Sequence, residues 1–210
     1  MVIDVAYRLV PEYAFPIGVQ DSFAALQYIH SAKGAQQFNV DASRISLGGV
    51  SAGGNIALVL GHLARDAGIS LSLIAVGTPV IDDISRYESA SESPFKSMQE
   101  MEHAPTLNWA RLKWFDNLKW QSISGDPETK ERQLKEVKWY ANALDAPDFT
   151  SMPRTVIYTA GCDPLRDEGE AYARRLVEAG NEVLMKRFKG VPHPFMHMDK
   201  GMLCLFLSSC

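Results

Sequence analysis

The chain has 210 residues, 46% apolar and 22% charged, and its 21 Lys and Arg against 25 Asp and Glu give a net charge of −4. This is the composition and length of a single globular domain with a sizeable core. The acidic balance leaves no basic stripe for a phosphate backbone, which excludes nucleic acid as a partner, and no run approaches the ~20 apolar residues of a membrane span.

Val2 to Tyr7 reads as a buried strand, followed by a loop from Pro11 to Pro16 and a helix from about Val19 to Ala32 carrying Phe23, Leu26 and Ile29 at helical spacing. His30 is expected on that helix's surface. Asp41 and Ser43 mark a turn before a strand from Arg44 to Gly48. The strand runs into Gly49-Val50-Ser51-Ala52-Gly53, and a helical pattern begins near Asn55. A serine between strand and helix, flanked by glycines, has the pattern of a nucleophile elbow: small neighbours let the chain bend and present the hydroxyl at the sheet's edge. By itself the pentapeptide is also compatible with a small-residue turn.

In the following helix Ile56, Leu60, Leu63 and Ala64 share one side, with His62 off that stripe and expected to face solvent. A strand from Leu71 to Val76 comes next. The alternation then lapses across about 82–151, a helical insertion holding all four tryptophans, Trp109, Trp114, Trp120 and Trp139, and two expected helices, Thr106 to Leu118 and Glu128 to Leu144. The charged run Glu128 to Lys138 reads as a solvated face, with opposite charges at helical spacing. The tryptophans fit either core packing or the apolar wall of an acyl or aryl pocket. His103, within the insertion, is expected in solvent.

Strand 155–160, a helix from about Leu165 to Ala179 and strand 183–188 complete the pattern. Such alternation implies an α/β fold, a mainly parallel sheet flanked by helices, with chemistry at the carboxyl ends of the strands. Asp163 follows the first of these two strands and His193 the second. Ser51, Asp163 and His193 thus end three strands in the chain order Ser, Asp, His. His193 and His197 stand four apart but lack the glutamate of an HExxH site, so no metal is expected. Gly48 to Gly53 contains no G-x-G-x-x-G, which argues against a dinucleotide cofactor. Cys162, Cys204 and Cys210 form neither a CxxC pair nor a regular framework, and the N-terminus shows no signal-peptide pattern, so free thiols and a cytoplasmic setting are expected.

These segments resemble the hormone-sensitive-lipase-like branch of the α/β-hydrolases, which includes carboxylesterases and arylacetamide deacetylases. Tyr7-Arg8-Leu9-Val10-Pro11-Glu12 is similar to its YRLAPE segment, Gly49 to Asn55 to its GDSAGGN elbow, and Asp163 to Gly169 matches its DPLRDEG block. Val50 stands where an aspartate is usual and Pro194 where a glycine is usual. The resemblance implies a serine hydrolase of small-molecule esters, with Ser51 as nucleophile, His193 as base, Asp163 as triad acid, the Ala52 N–H as an oxyanion donor, and no cofactor. Asp167 and Glu168 would belong to the helix start. The family's HGG-type oxyanion loop lies upstream of YRLAPE, and six residues precede Tyr7 here. The N-terminal strands are therefore expected to be missing, including the usual neighbour of the Arg44 strand, and turnover to be impaired in what is read as a truncated hydrolase. The alternative is an inactive fragment or a non-catalytic ligand-binding protein of this fold, of which the plant gibberellin receptors are an example. The retained His193 argues against it.

Overall fold

The computed structural model describes residues 1–121, 128, 131 and 134–197. Among them are four strands, β1 (Ile45–Val50), β2 (Leu71–Gly77), β3 (Thr155–Cys162) and β4 (Val183–Pro192). They form one parallel sheet in the order β1-β2-β3-β4, with Leu47 opposite Ile74, Val76 opposite Ile157 and Ile157 opposite Met185. The middle strands carry apolar side chains on both faces, as buried parallel strands do, and Ile74, Val76 and Ile157 are sealed from solvent. On the outer strand β4, Leu184 and Met185 stand exposed.

The helices are α1 (Ile17–His30), α2 (Ala32–Phe38), α3 (Ala52–Asp66), α4 (Lys96–Glu100), α5 (Trp109–Gln121) and α6 (Arg166–Glu178). None of those described is long and apolar enough to cross a membrane. The main core joins Leu26 of α1, Ala57 and Leu58 of α3, and Tyr172 and Leu176 of α6 to the inner strands. A second core gathers Ile84, Met98, Leu107 and Leu112 from the segment between β2 and β3 around Leu165.

Several expectations change. The Val2 to Tyr7 segment is not a strand: Val2 is 94% exposed, the Tyr7 N–H bonds the nearby Val5 carbonyl, and Arg8 is tied to Asp21 of α1 through backbone and guanidinium. A strand needs a partner for its N–H and C=O groups, and the described sheet presents none to this segment. The helix after Pro16 stops at His30. Ser31 is extended and caps α2 by accepting the Gly34 N–H at 3.1 Å.

Between β2 and β3 the first expected helix starts three residues late, at Trp109. Thr106 holds a left-handed φ of 69°, and the Asn108 side chain accepts the Arg111 N–H at 3.0 Å. The second expected helix does not reach Leu144, because 138–140 and 143–145 are separate 3₁₀ turns. Residues 122–127, 129–130 and 132–133 of that expectation lie outside the described residues, as do Cys204 and Cys210. The tryptophans do not gather in one place. Trp139 packs on the main core, Trp109 on the second, Trp120 edge-on to Phe15, and Trp114 is mostly exposed.

His62 is buried, not solvent-facing. Its Nε2 lies 2.8 Å from the Tyr172 hydroxyl and its Nδ1 3.0 Å from the Asp148 carbonyl, within a ring of Trp139, Phe149 and Tyr172. The chain returning from 139 to 149 covers the face of α3 that a one-stripe reading leaves open. Burial, with Arg65 nearby, pushes the imidazole pKa from 6.5 down to about 4. Folding therefore releases a proton between these values. The stabilisation from neutral His62 is complete above about pH 6.5 and is lost as pH falls toward 4, by about 3 kcal/mol. Urea denaturation of the protein and of His62→Gln across this range is expected to give a distinctly flatter pH dependence for the variant.

Candidate active site

Parallel strands place their carboxyl ends along one edge, and Ser51, Asp163 and His193 follow β1, β3 and β4 there. Ser51 sits between β1 and α3 at φ 57°, ψ −119°, a strained conformation for a side-chain-bearing residue. Its N–H bonds the Gly77 carbonyl of β2 at 3.0 Å, and its own carbonyl accepts the Asn55 N–H of α3 at 3.0 Å. The hydroxyl makes no capping bond to the helix. Ala52 is exposed at the first position of α3, where an N–H has no partner within the helix.

The two flanking glycines differ in kind. A Cβ at Gly49 would lie 2.1 Å from the Gly53 carbonyl oxygen, so the bend requires glycine there, whereas a Cβ at Gly53 would meet nothing within 4 Å. The close approach on the helical side belongs to Gly54, whose Cβ would meet Pro79 at 3.0 Å. The expectation that both flanks serve the bend thus holds for Gly49 alone. Gly53→Ala is expected to raise stability by up to ~1 kcal/mol through helix propensity, and Gly49→Ala to unfold the elbow. Chemical denaturation of both variants tests the contrast.

The β3–β4 register slips between Ala160 and Cys162, so that Cys162 faces Pro192 and the residues just past the two strands, Asp163 and His193, meet. The His193 Nδ1 lies 2.8 Å from Asp163 Oδ2, and its Nε2 lies 3.0 Å from Ser51 Oγ. Asp163 is sealed from solvent, with Oδ1 accepting the Leu165 N–H at 2.9 Å, so each carboxyl oxygen has a donor. His193 is 5% exposed, enough to shelter the ring while Ser51 stays half-open. The chain of hydrogen bonds can draw a proton from the Ser51 hydroxyl onto Nε2 while the buried carboxylate steadies the charge that forms.

Two neighbours, Thr106 and Glu168, were not expected to support the site. The Thr106 hydroxyl donates to the His193 carbonyl from the segment between β2 and β3, and the Arg111 guanidinium holds the Thr106 carbonyl in turn. Glu168, expected only as a helix-start acid, is fully buried in the first turn of α6 and accepts the Ile81 and Asp82 N–H groups. Threonine at position 106 could be found only from the fold, because 87 residues separate it from His193. Cys162 is a free thiol beside Asp163, and His197 is exposed beyond the site.

A family model described as "alpha/beta hydrolase fold" matches residues 1–197. Among curated relatives, carboxylesterase NlhH of Mycobacterium tuberculosis is 31% identical across 94% of this chain and 57% of its own length. An arylesterase of Saccharolobus solfataricus is 33% identical across 93% and 58%. Among solved structures, a bacterial heroin esterase superposes with a TM-score of 0.76 at 33% identity, over 97% of this chain and 60% of its own. Vibralactone cyclase superposes with a TM-score of 0.77 at 33% identity, over 97% and 56%. The chain thus spans little more than half the length of the proteins it matches. From its parallel sheet, the serine turn after β1 and a family match running from residue 1 to 197, this chain belongs to the α/β-hydrolase fold family.

Proposed function

We propose that the chain carries the catalytic residues of a serine carboxylesterase acting on small-molecule esters through an acyl-enzyme. The observation that supports this reading most directly is the continuous path from Ser51 Oγ to His193 Nε2 at 3.0 Å and from His193 Nδ1 to Asp163 Oδ2 at 2.8 Å. Ser51 attacks the ester carbonyl as His193 takes its proton. Asp163 holds the imidazole in the tautomer that leaves Nε2 free to accept, and stabilises the imidazolium without itself taking the proton. The oxyanion forms beside the Ala52 N–H, at the positive end of α3. His193 then returns its proton to the leaving alcohol, and water repeats the cycle on the acyl-serine. Names of relatives such as carboxylesterase and arylesterase agree with this reaction class.

A covalent test separates this reading from a non-catalytic ligand-binding protein on the same fold. Incubation with a fluorophosphonate, followed by peptide mass spectrometry, is expected to place one adduct on Ser51. Rapid mixing with p-nitrophenyl acetate is expected to give a burst of p-nitrophenol approaching one equivalent. Absence of both adduct and burst would leave Ser51 an ordinary turn residue and refute the acyl-enzyme.

A further inference from the structure

Behind the hydrogen-bonded chain lies a buried carboxyl that the reaction above does not use. We propose that Glu168 is a positioning residue for the site, clamping the segment that supports Ser51 to the helix start that carries Asp163. The inference rests on the serine-hydrolase reading. Oε1 of Glu168 accepts the Ile81 N–H at 2.7 Å and the Asp82 N–H at 3.2 Å.

That receiving segment braces the elbow at three points. The Gly77 carbonyl holds the Ser51 N–H, the Val80 N–H reaches the Ser51 carbonyl at 3.3 Å, and Pro79 packs against Gly54. On the other side, Glu168 belongs to the α6 turn whose Leu165 and Arg166 N–H groups bond Asp163. One carboxyl oxygen therefore spans the two ends of the Ser51–His193–Asp163 chain. Displacement of either end by a fraction of an ångström would lengthen both bonds to the imidazole.

The charge state completes the device. Oε2 of Glu168 is buried without a hydrogen-bond partner, as is Oδ2 of Asp82. The charges of Asp82, in the segment after β2, and Asp163, in the loop after β3, act on Glu168, and Tyr87, whose hydroxyl bonds Asp82, lies within electrostatic range of it; Arg86 and Asp83 act on Asp82 one step further out. Burial, reinforced by Asp82 and Asp163, drives the Glu168 carboxyl well above the usual range, against the smaller pull of the two N–H donors. Burial thus favours the uncharged form of Glu168 in this pocket. It holds the clamp without setting a second negative charge beside Asp163. As pH rises through its raised pKa, the buried carboxylate forms and this contribution is lost.

Glu168→Gln keeps a carbonyl oxygen for both N–H donors and carries no charge, whereas Glu168→Ala removes the acceptor. Both are compared with the parent 210-residue chain by amide exchange at Ile81 and Asp82, by the downfield proton resonance of the His193 Nδ1–H···Asp163 bond, and by kcat and KM for p-nitrophenyl acetate from neutral to alkaline pH. Glu168→Ala is expected to exchange faster at both amides, lose the downfield resonance, and lower kcat about 10- to 100-fold per labelled Ser51 with KM changed less than ~3-fold. Glu168→Gln is expected to rescue all three readouts. Unchanged resonance and kcat in Glu168→Ala, with only a lower Tm, overturns the proposal, as does a Gln variant that behaves like Ala. If Glu168→Ala does not fold, faster exchange at Ile81 and Asp82 or loss of the downfield resonance in Glu168→Gln overturns it. A parent without serine-dependent turnover would refute the hydrolase reading, while the exchange and resonance readouts would still judge the clamp.

Discussion

Ser51→Ala is expected to lower kcat for p-nitrophenyl acetate hydrolysis by about 10⁶-fold, the scale of removing a serine nucleophile outright. The substitution deletes the oxygen 3.0 Å from His193 Nε2 and leaves the imidazole with nothing to activate. Whatever turnover survives reflects carbonyl polarisation near the Ala52 N–H and the general basicity of the site. The fold should hardly notice, since the Ser51 hydroxyl caps no helix and alanine meets the left-handed backbone of the turn about as serine does. Denaturation midpoints for parent and variant should therefore agree within ~0.5 kcal/mol, and the comparison isolates chemistry from stability. Near-normal turnover in a folded Ser51→Ala protein would sink the assignment of the nucleophile.

Asp163→Asn is expected to cost about 10⁴-fold in kcat. Asp163 accepts on both oxygens, from Leu165 N–H at 2.9 Å and from His193 at 2.8 Å. An asparagine offers one oxygen and one NH₂, so one of these donors must face another donor. If the oxygen stays with Leu165, the NH₂ faces His193 Nδ1 and selects the tautomer whose Nε2 carries the proton, which cannot accept one from Ser51. If the amide flips, the buried Leu165 N–H at the start of α6 loses its acceptor, a cost of about 1–3 kcal/mol. The first arrangement lowers kcat with little change in stability, and the second lowers Tm. Steady-state kinetics and thermal denaturation of this variant separate them, and kcat within 10-fold of the parent would show that Asp163 does not orient the histidine.

The sequence carried a large part of this architecture because its signals were local. Apolar runs ending at turn residues marked β1 through β4 to within a few residues, and for the inner strands β2 and β3 the reason is that a buried parallel strand is apolar on both faces. The steric demand at Gly49 is local as well: the clash that forbids a side chain there involves Gly53, four residues on. The DPLRDEG block was legible through its resemblance to the family, and its bonding is local as well, since Asp163 accepts from the Leu165 and Arg166 N–H groups two and three residues away. The order of Ser51, Asp163 and His193 at strand ends could likewise be read off the chain, given only that the sheet is parallel.

What the sequence alone left undecided depended on partners far along the chain. His62 read as an exposed helix position until residues 139–149 folded over α3, because burial is a property of what covers a face and not of the face itself. Val2 to Tyr7 has the composition of a strand, yet pairing needs a neighbouring edge, and the chain just after it is held to α1 through Arg8 and Asp21 instead. Glu168 looked like a charge suited to a helix dipole, and only the arrival of Ile81 and Asp82, 87 and 86 residues away, made it a buried acceptor. Thr106 gained its hydroxyl contact with the His193 carbonyl in the same way. Residue type and short-range pattern determined where the chain extends, coils and bends. The tertiary structure decided which of those residues lost water, because desolvation and hydrogen-bond geometry are set jointly by segments that the linear order keeps apart.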